Sequence, residues 1–390
     1  MLQSALQDST AIEDYLEFSN SFYQDLLGYK PEQTSLQTLT QEQWRPFSER
    51  IGLNSNSSGI YLPRNQMAII QEENPLSLFH EYFGHGLFCE QSLIGRKLVD
   101  LEKALLEEER QEFQGRQFTL EDVQKFRNKN QMFQELEEHR KQNLGIYEGF
   151  AIWTEHLLSG EFGISDEFEG RYNSFSRKER ELTDSVINFS KKYGDLAVFY
   201  AWGMKKVQDK KRLLRLSQDL FKDKLDRTRL VLHFGSGKEF SDIDLFIVSN
   251  EISPSYDYWL DIRASRIGEV EEGIKVLNPM VTDPVMVGRT IFGDGRYLDE
   301  LKRKILAQPI TDEAIRFSLQ EYESEKKRSQ DKSLGKHLQE KNLRSAKTFL
   351  TNALALKNGD KVFTFNGLVD YARERLSHSE KFIELKGGIE

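Results

Sequence analysis

Across residues 98–113, LVDLEKALLEEERQEF, apolar positions recur three and four apart and the opposite face is heavily charged. That spacing predicts an amphipathic helix on a core. TLEDVQKFRNKNQMFQELEEHRKQ follows, with Thr119 three residues before Asp122, a helix-start signal. GIYEGFAIWTEHLLSG (145–160) predicts a third helix ending near Gly160. Only GIYLPRNQMAII (59–70) breaks the helical pattern in the first two hundred residues. Its β-formers are interrupted by Pro63, which suits an edge strand or its margin. Around 204–228 the pattern turns basic and amphipathic. Then RLVLHFGSGKEFSDIDLFIVSN (229–250) reads strand, glycine turn, strand, and LDIRAS predicts a third strand. From residue 297 the chain is helical to about 384, with breaks near 308–310 and 358–360.

These patterns imply an α+β protein of three parts. Residues 1–204 form a mainly helical domain with a small edge-strand sheet. A small mixed-sheet domain spans 205–295, and a helical bundle spans 296–390. The length of 390 residues suits two or three domains rather than one core. With 38% apolar and 30% charged residues, the composition is that of a soluble globular chain. No apolar run approaches a membrane span. MLQSALQDSTAIEDYLEF has neither the basic start nor the apolar core of a signal peptide. A single cysteine, Cys89, agrees with a reducing cytoplasm. The net charge of −9 excludes nonspecific nucleic-acid binding by the whole molecule and leaves KKVQDKKRLLRL (205–216) as the local basic candidate.

Candidate chemistry centres first on HEYFGHG, residues 80–86. Zinc hydrolysis needs three protein ligands, an open position and a base beside the water. His80 and His85 are five apart. On a regular helix five residues turn the chain by about 140° net, against about 40° for four. A one-residue π-type bulge returns both rings to one side, and Gly84 lowers the cost of an irregular turn there. The best source of a third ligand is YEGFAIWTE, with Glu148 first; Glu155, and Glu90 outside that stretch, are weaker choices. Glu81, Cys89 and His85 share a face of a regular helix and form a rival set; His139 and His156 read as structural. Tyr61, Tyr172, Tyr193 and Tyr200 are all available to stabilise an oxyanion.

HEYFGHG resembles the H-E-x-x-x-H-G zinc motif of gluzincin metallopeptidases, with the dipeptidyl peptidase III family the closest local likeness. The likeness covers about residues 55–160. EGFAIWTE resembles that family's second motif loosely, since Glu155 lies seven residues beyond Glu148. The resemblance implies that His80, His85 and Glu148 bind zinc, that Glu81 is the general base, and that a peptide lies along the preceding edge strand.

A second constellation lies in FGSGKEFSDIDLFIV. Alternate strand residues point to one side, so Asp242 and Asp244 converge, and Asp261 in YWLDIRAS completes a carboxylate set, with Asp257 as fallback. The turn at Gly235 and Ser236 offers N–H groups and a hydroxyl to phosphate. The stretch resembles the nucleotidyltransferase superfamily of DNA polymerase β, in its minimal antitoxin and aminoglycoside types, over about residues 210–390. That resemblance implies two Mg²⁺ ions on Asp242, Asp244 and Asp261, and a nucleoside triphosphate as substrate. Only five residues separate Ser236 from Asp242, fewer than these families carry, so Lys238 takes the role of the loop's basic residue.

The expectation for the whole chain is a cytoplasmic, bifunctional toxin–antitoxin or phage-defence component. A zinc peptidase acts on a protein or peptide, and a nucleotidyltransferase acts on a protein, RNA or small-molecule acceptor. Two alternatives stand beside it: a nucleotidyltransferase with a zinc-binding recruitment module, and a non-catalytic regulatory protein.

Overall fold

The computed structural model describes residues 12–53 and 57–375. The expected helix over 376–384 lies outside them. The architecture is α+β, with two small sheets among many helices. The chain divides into two compact units, Met1–Arg212 and Leu213–Glu390. The sequence boundary at 204 lies eight residues before this division, and residues on both sides of 295 belong to the second unit. Among the described residues no helix is long and apolar enough to cross a membrane.

The first unit opens with α1 (Ile12–Leu27), β1 (Ser35–Leu39), α2 (Gln41–Ile51), β2 (Gly59–Leu62) and β3 (Met67–Gln71). The sheet order is β1-β3-β2, with β1 parallel and β2 antiparallel to β3, so β2 is an edge strand. Pro63 sits at the start of a 3₁₀ turn that joins β2 to β3, at the strand's margin. A continuous helical run follows: α3 (Pro75–Ser77), a π-helix over Leu78–Gly86, and α4 (Leu87–Gln91). Next come α5 (Leu93–Phe113) and α6 (Leu120–Lys129), the latter opened by a capping box between Thr119 and Asp122. The expected 145–160 helix is the second half of α7, which runs unbroken from Gln131 to Phe162. Its start is capped by Asn130, and it stops at Gly163, whose positive φ of 71° closes the last turn. Helices α8 (Ser165–Tyr172), α9 (Arg177–Tyr193) and α10 (Asp195–Ala201) complete the unit. Its interior is aromatic: Tyr23, Phe79, Phe83, Phe88, Phe150, Trp153, Phe199 and Tyr200 are all fully buried. Each such ring contributes about 1.5–3 kcal/mol by burial alone. The π-helix is thereby anchored by Phe79 and Phe83 on both sides of His80.

The basic amphipathic stretch becomes α11 (Lys210–Phe221), within which the division between units falls. The second unit holds β4 (Leu230–Phe234), β5 (Ile243–Val248), β6 (Ser255–Asp257), β7 (Leu260–Ser265) and β8 (Arg289–Gly293), in sheet order β6-β7-β5-β4-β8. Only the β5–β7 pairing is parallel. Alternate residues Leu230, Leu232 and Phe234 of β4 join Phe246 and Val248 of β5 in one core. Against them pack α12 (Ile267–Lys275), α13 (Pro279–Val287) and α14 (Gly295–Ala307). Helices α15 (Asp312–Ser329), α16 (Lys336–Lys357) and α17 (Phe365–Arg375) follow, broken near 308–311 and 358–364 as expected, and also at 330–335.

Candidate functional sites

The π-helix answers the spacing of HEYFGHG. With i→i+5 bonding, residues five apart take the relation that residues four apart hold in an α-helix. The irregularity is therefore nine residues long rather than a single bulge. The rings of His80 and His85 lie on one side, 4.8 Å between centroids and 88° apart in plane. Glu148 of α7 meets both: its Oε2 is 3.7 Å from His80 Nε2 and 3.7 Å from His85 Nε2. The three ligand atoms lie within 4.8 Å of one another, and no other group of three such residues does so among the described residues. Ligands on a tetrahedral zinc at ~2.0–2.1 Å stand about 3.3 Å apart, so two imidazoles and a carboxylate are a donor set zinc accepts, and these side chains would draw in slightly around the ion. The rival face through Cys89 presupposed a regular helix, which the π-helix replaces; Cys89 is buried, and burial pushes its thiol up.

The neighbours of this triad hold it in place. His80 Nδ1 is 3.1 Å from Oε2 of Glu155, which is fully buried, and Arg171 Nε of α8 lies 3.4 Å from the other carboxylate oxygen. Glu155 therefore aims His80 Nε2 at Glu148 rather than competing as a ligand. The Tyr147 ring stacks on His85, 3.9 Å between centroids and 19° from parallel. Gly84 serves packing as well as the irregular turn: a Cβ there would lie 2.7 Å from Ala151 Cα. Glu81 is buried beside the edge strand, where a Cβ on Gly59 would lie 2.7 Å from its Cγ. Burial pushes Glu81 up to about 7, against the pull of His80. Burial lowers His85 to about 3. Burial opposes the charge on Glu148, but His85 and His80 outweigh it and hold it down at about 2.

Other candidates are engaged elsewhere. Glu90 accepts the backbone N–H groups of Glu32, Gln33 and Thr34. His139 Nε2 bonds Ile94 O, and His156 packs on Phe168. Tyr172 donates to Asp184 and Tyr200 to Val207 O, while Tyr193 packs on Phe189. Tyr61, on β2 with its ring 6.4 Å from His85, is the candidate tyrosine beside the triad. Glu155→Gln should weaken zinc about 10–100-fold, read by chelator competition, with the far-UV spectrum unchanged.

In the second unit Asp242 lies just before β5, and Asp244 on β5 is the register partner of Asp261 on β7. Asp257 lies on the edge strand β6, where it accepts from Tyr258 N. Gly235 is required twice over: its φ is +94°, and a Cβ would fall 2.0 Å from Asp244 Oδ2. Ser236 Oγ accepts from Lys238 N at 3.4 Å across the exposed turn. The three carboxylates do not close to the 4.8 Å spacing of the histidine triad. Asp261 is instead ion-paired with Lys341 of α16 at 3.0 Å and Arg263 at 3.3 Å.

Burial, and then Asp242, push Asp244 up to about 7. A carboxyl raised on folding adds stability below its unfolded pKa of about 4 and loses it as pH rises through the folded value. In chelator, the wild type should therefore lose about 2 kcal/mol between about pH 4 and 8, taking half the full shift because the group is partly exposed. Asp244→Asn should not lose it; urea denaturation across that range makes the comparison.

No protein-family model matches the chain, and no curated protein is significantly similar to it.

The sequence pattern picks out neither Tyr147, adjacent to Glu148, nor Arg171, Arg263 and Lys341, the last eighty residues beyond Asp261. Tyr147 stands next to a candidate ligand and Arg263 two residues from Asp261; Arg171 and Lys341 have no local signal.

Proposed function

We propose that the first unit is a zinc-dependent peptidase. The convergence of His80, His85 and Glu148, drawn from two helices onto one point, carries the reading. Zinc held there would supply Lewis-acid chemistry toward a substrate carbonyl. Glu81 Oε accepts the proton of the attacking water and returns it to the leaving amine. Glu155 and Arg171 keep His80 oriented, and Tyr147 fixes the ring plane of His85. The unpaired side of β2, among the described residues, is where an extended peptide would add as a further strand. The test is metal content: chain purified without chelator should hold about one zinc, and none in wild type would overturn the reading. Zinc with no cleavage of any peptide library would instead favour a recruitment module.

The second unit supports a nucleotidyltransferase reading through a separate observation, the glycine turn of Gly235 packed onto Asp244 beside Asp261. An acceptor hydroxyl attacks the α-phosphate, its proton passes to solvent water, and the bond to the β-phosphate breaks to release pyrophosphate. Divalent magnesium on the aspartates would supply charge neutralisation. Transfer of labelled NMP should vanish in Asp242→Ala/Asp244→Ala and persist in Glu81→Gln.

A further inference from the structure

The carboxylate set of the second unit fits a different metal count from the one its motif implies. A buried carboxylate that already holds two cations gives a dication less to gain, because the ion must displace them or stand beside them. Asp261 is buried and each of its oxygens already holds a cation. Oδ1 takes Lys341 Nζ at 3.0 Å, and Oδ2 takes Arg263 Nε at 3.3 Å. Both cations are themselves held. Lys341 Nζ stands 3.5 Å from the ring centroid of Tyr256. That ring stacks on His337, 5.3 Å away, and its hydroxyl bonds His337 Nε2. The Arg263 guanidinium lies 4.7 Å from the Phe234 ring centroid. Residues 337 and 341 are one turn apart on α16, so a single helix face supplies both the ammonium and the imidazole that positions its aromatic support. A dication on Asp261 would have to displace this ammonium from a carboxylate and a ring together, and would face the guanidinium at close range.

We infer that the second unit binds one divalent cation, on Asp242 and Asp244, and that Lys341 Nζ supplies the second positive charge at Asp261. This rests on the nucleotidyltransferase reading. Asp261 is then a positioning residue for Lys341 and not a metal ligand. The shortened loop after Ser236 is consistent with this, since α16 brings a fixed cation to the carboxylates from elsewhere in the unit.

The test counts Mn²⁺ by paramagnetic resonance on the full, zinc-loaded chain, with the α,β-methylene analogues of the four ribonucleoside triphosphates in turn. Sites are counted as those missing from Asp242→Ala/Asp244→Ala. Wild type should bind one Mn²⁺. Asp261→Asn should still bind one, with affinity changed less than about threefold, and Lys341→Met should bind a second at the released carboxylate. Two Mn²⁺ in wild type, a tenfold or greater loss in Asp261→Asn, or an unchanged single site in folded Lys341→Met would each overturn the inference. No Mn²⁺ in wild type with any analogue would overturn the nucleotidyltransferase reading as well, and so separates the two failures.

Discussion

Glu81→Gln should abolish peptide hydrolysis and leave the zinc in place. General-base catalysis by a positioned carboxylate is worth about 10²–10⁴-fold, and an amide of the same shape cannot take the water's proton. The proposed ligand atoms belong to His80, His85 and Glu148, so zinc content should stay near one per chain. Glu81 is also held sterically, with Gly59 of the edge strand packed on its Cγ. Glutamine should keep that pose, so the loss would fall on kcat rather than on folding. Cleavage of a peptide library read by mass spectrometry, with zinc measured on the same sample, makes the comparison. Persistent hydrolysis with bound zinc would remove Glu81 from the mechanism.

Gly84→Ala should destabilise the first unit and loosen its metal together. Helix propensity argues the other way, since alanine is better than glycine in a helix by about 1 kcal/mol. Packing decides the sign. The new Cβ would sit 2.7 Å from Ala151 Cα and 2.8 Å from Ala151 Cβ, and 3.3 Å from Phe79 O. Those are mostly backbone or near-backbone atoms, so the π-helix and α7 would have to separate. Overpacking of this kind costs about 1–3 kcal/mol, enough to outweigh propensity. The same separation draws Glu148 on α7 away from both histidines, so zinc affinity should drop in parallel. Ala151→Gly removes one of the two closest contacts, so the double variant should recover part of the loss. Urea denaturation and chelator competition measure the two effects. An unchanged or raised stability in Gly84→Ala would mean that the two helices do not approach this closely.

The meeting of His80, His85 and Glu148 was legible in the sequence because the two histidines lie within six residues, and the glutamate lies on a strongly helical stretch. An irregular helix was legible from the five-residue spacing taken with a shared metal, but as a one-residue bulge, whereas the π-helix runs for nine residues. The role of Glu155 was not legible. Its seven-residue distance from Glu148 keeps both on one side of α7, but only helix packing decides which faces a ligand atom and which faces the back of His80. Strand β1, SLQTL, escaped because it is short, polar and mostly exposed, with no alternation to detect. Strand β8, RTIFG, escaped because it is only five residues long and lies between glycines, just before the helical stretch begins. Lys341 shows the same limit at longer range: a lysine in a charged helix reads as solvated until a carboxylate eighty residues earlier is seen against it.

The back of His80 would also fix how a metal is taken up there. Glu81, Glu148 and Glu155 bring three negative charges to one largely buried pocket, and Arg171 returns one positive charge. The deficit of two equals the charge of a single dication. Without the ion, protons fill the role. Burial opposes a proton on His80, but Glu148, Glu155 and Glu81 outweigh it and hold the ring up at about 10. Glu81 follows near 7, raised by burial. Zinc uptake should therefore expel about two protons at about pH 6 and about one at about pH 8.5, a count readable from the dependence of the calorimetric enthalpy on buffer ionisation. On the zinc reading the pocket would work as an exchanger, and its hold on zinc should weaken about a hundredfold per pH unit in mild acid and only about tenfold per unit above neutrality.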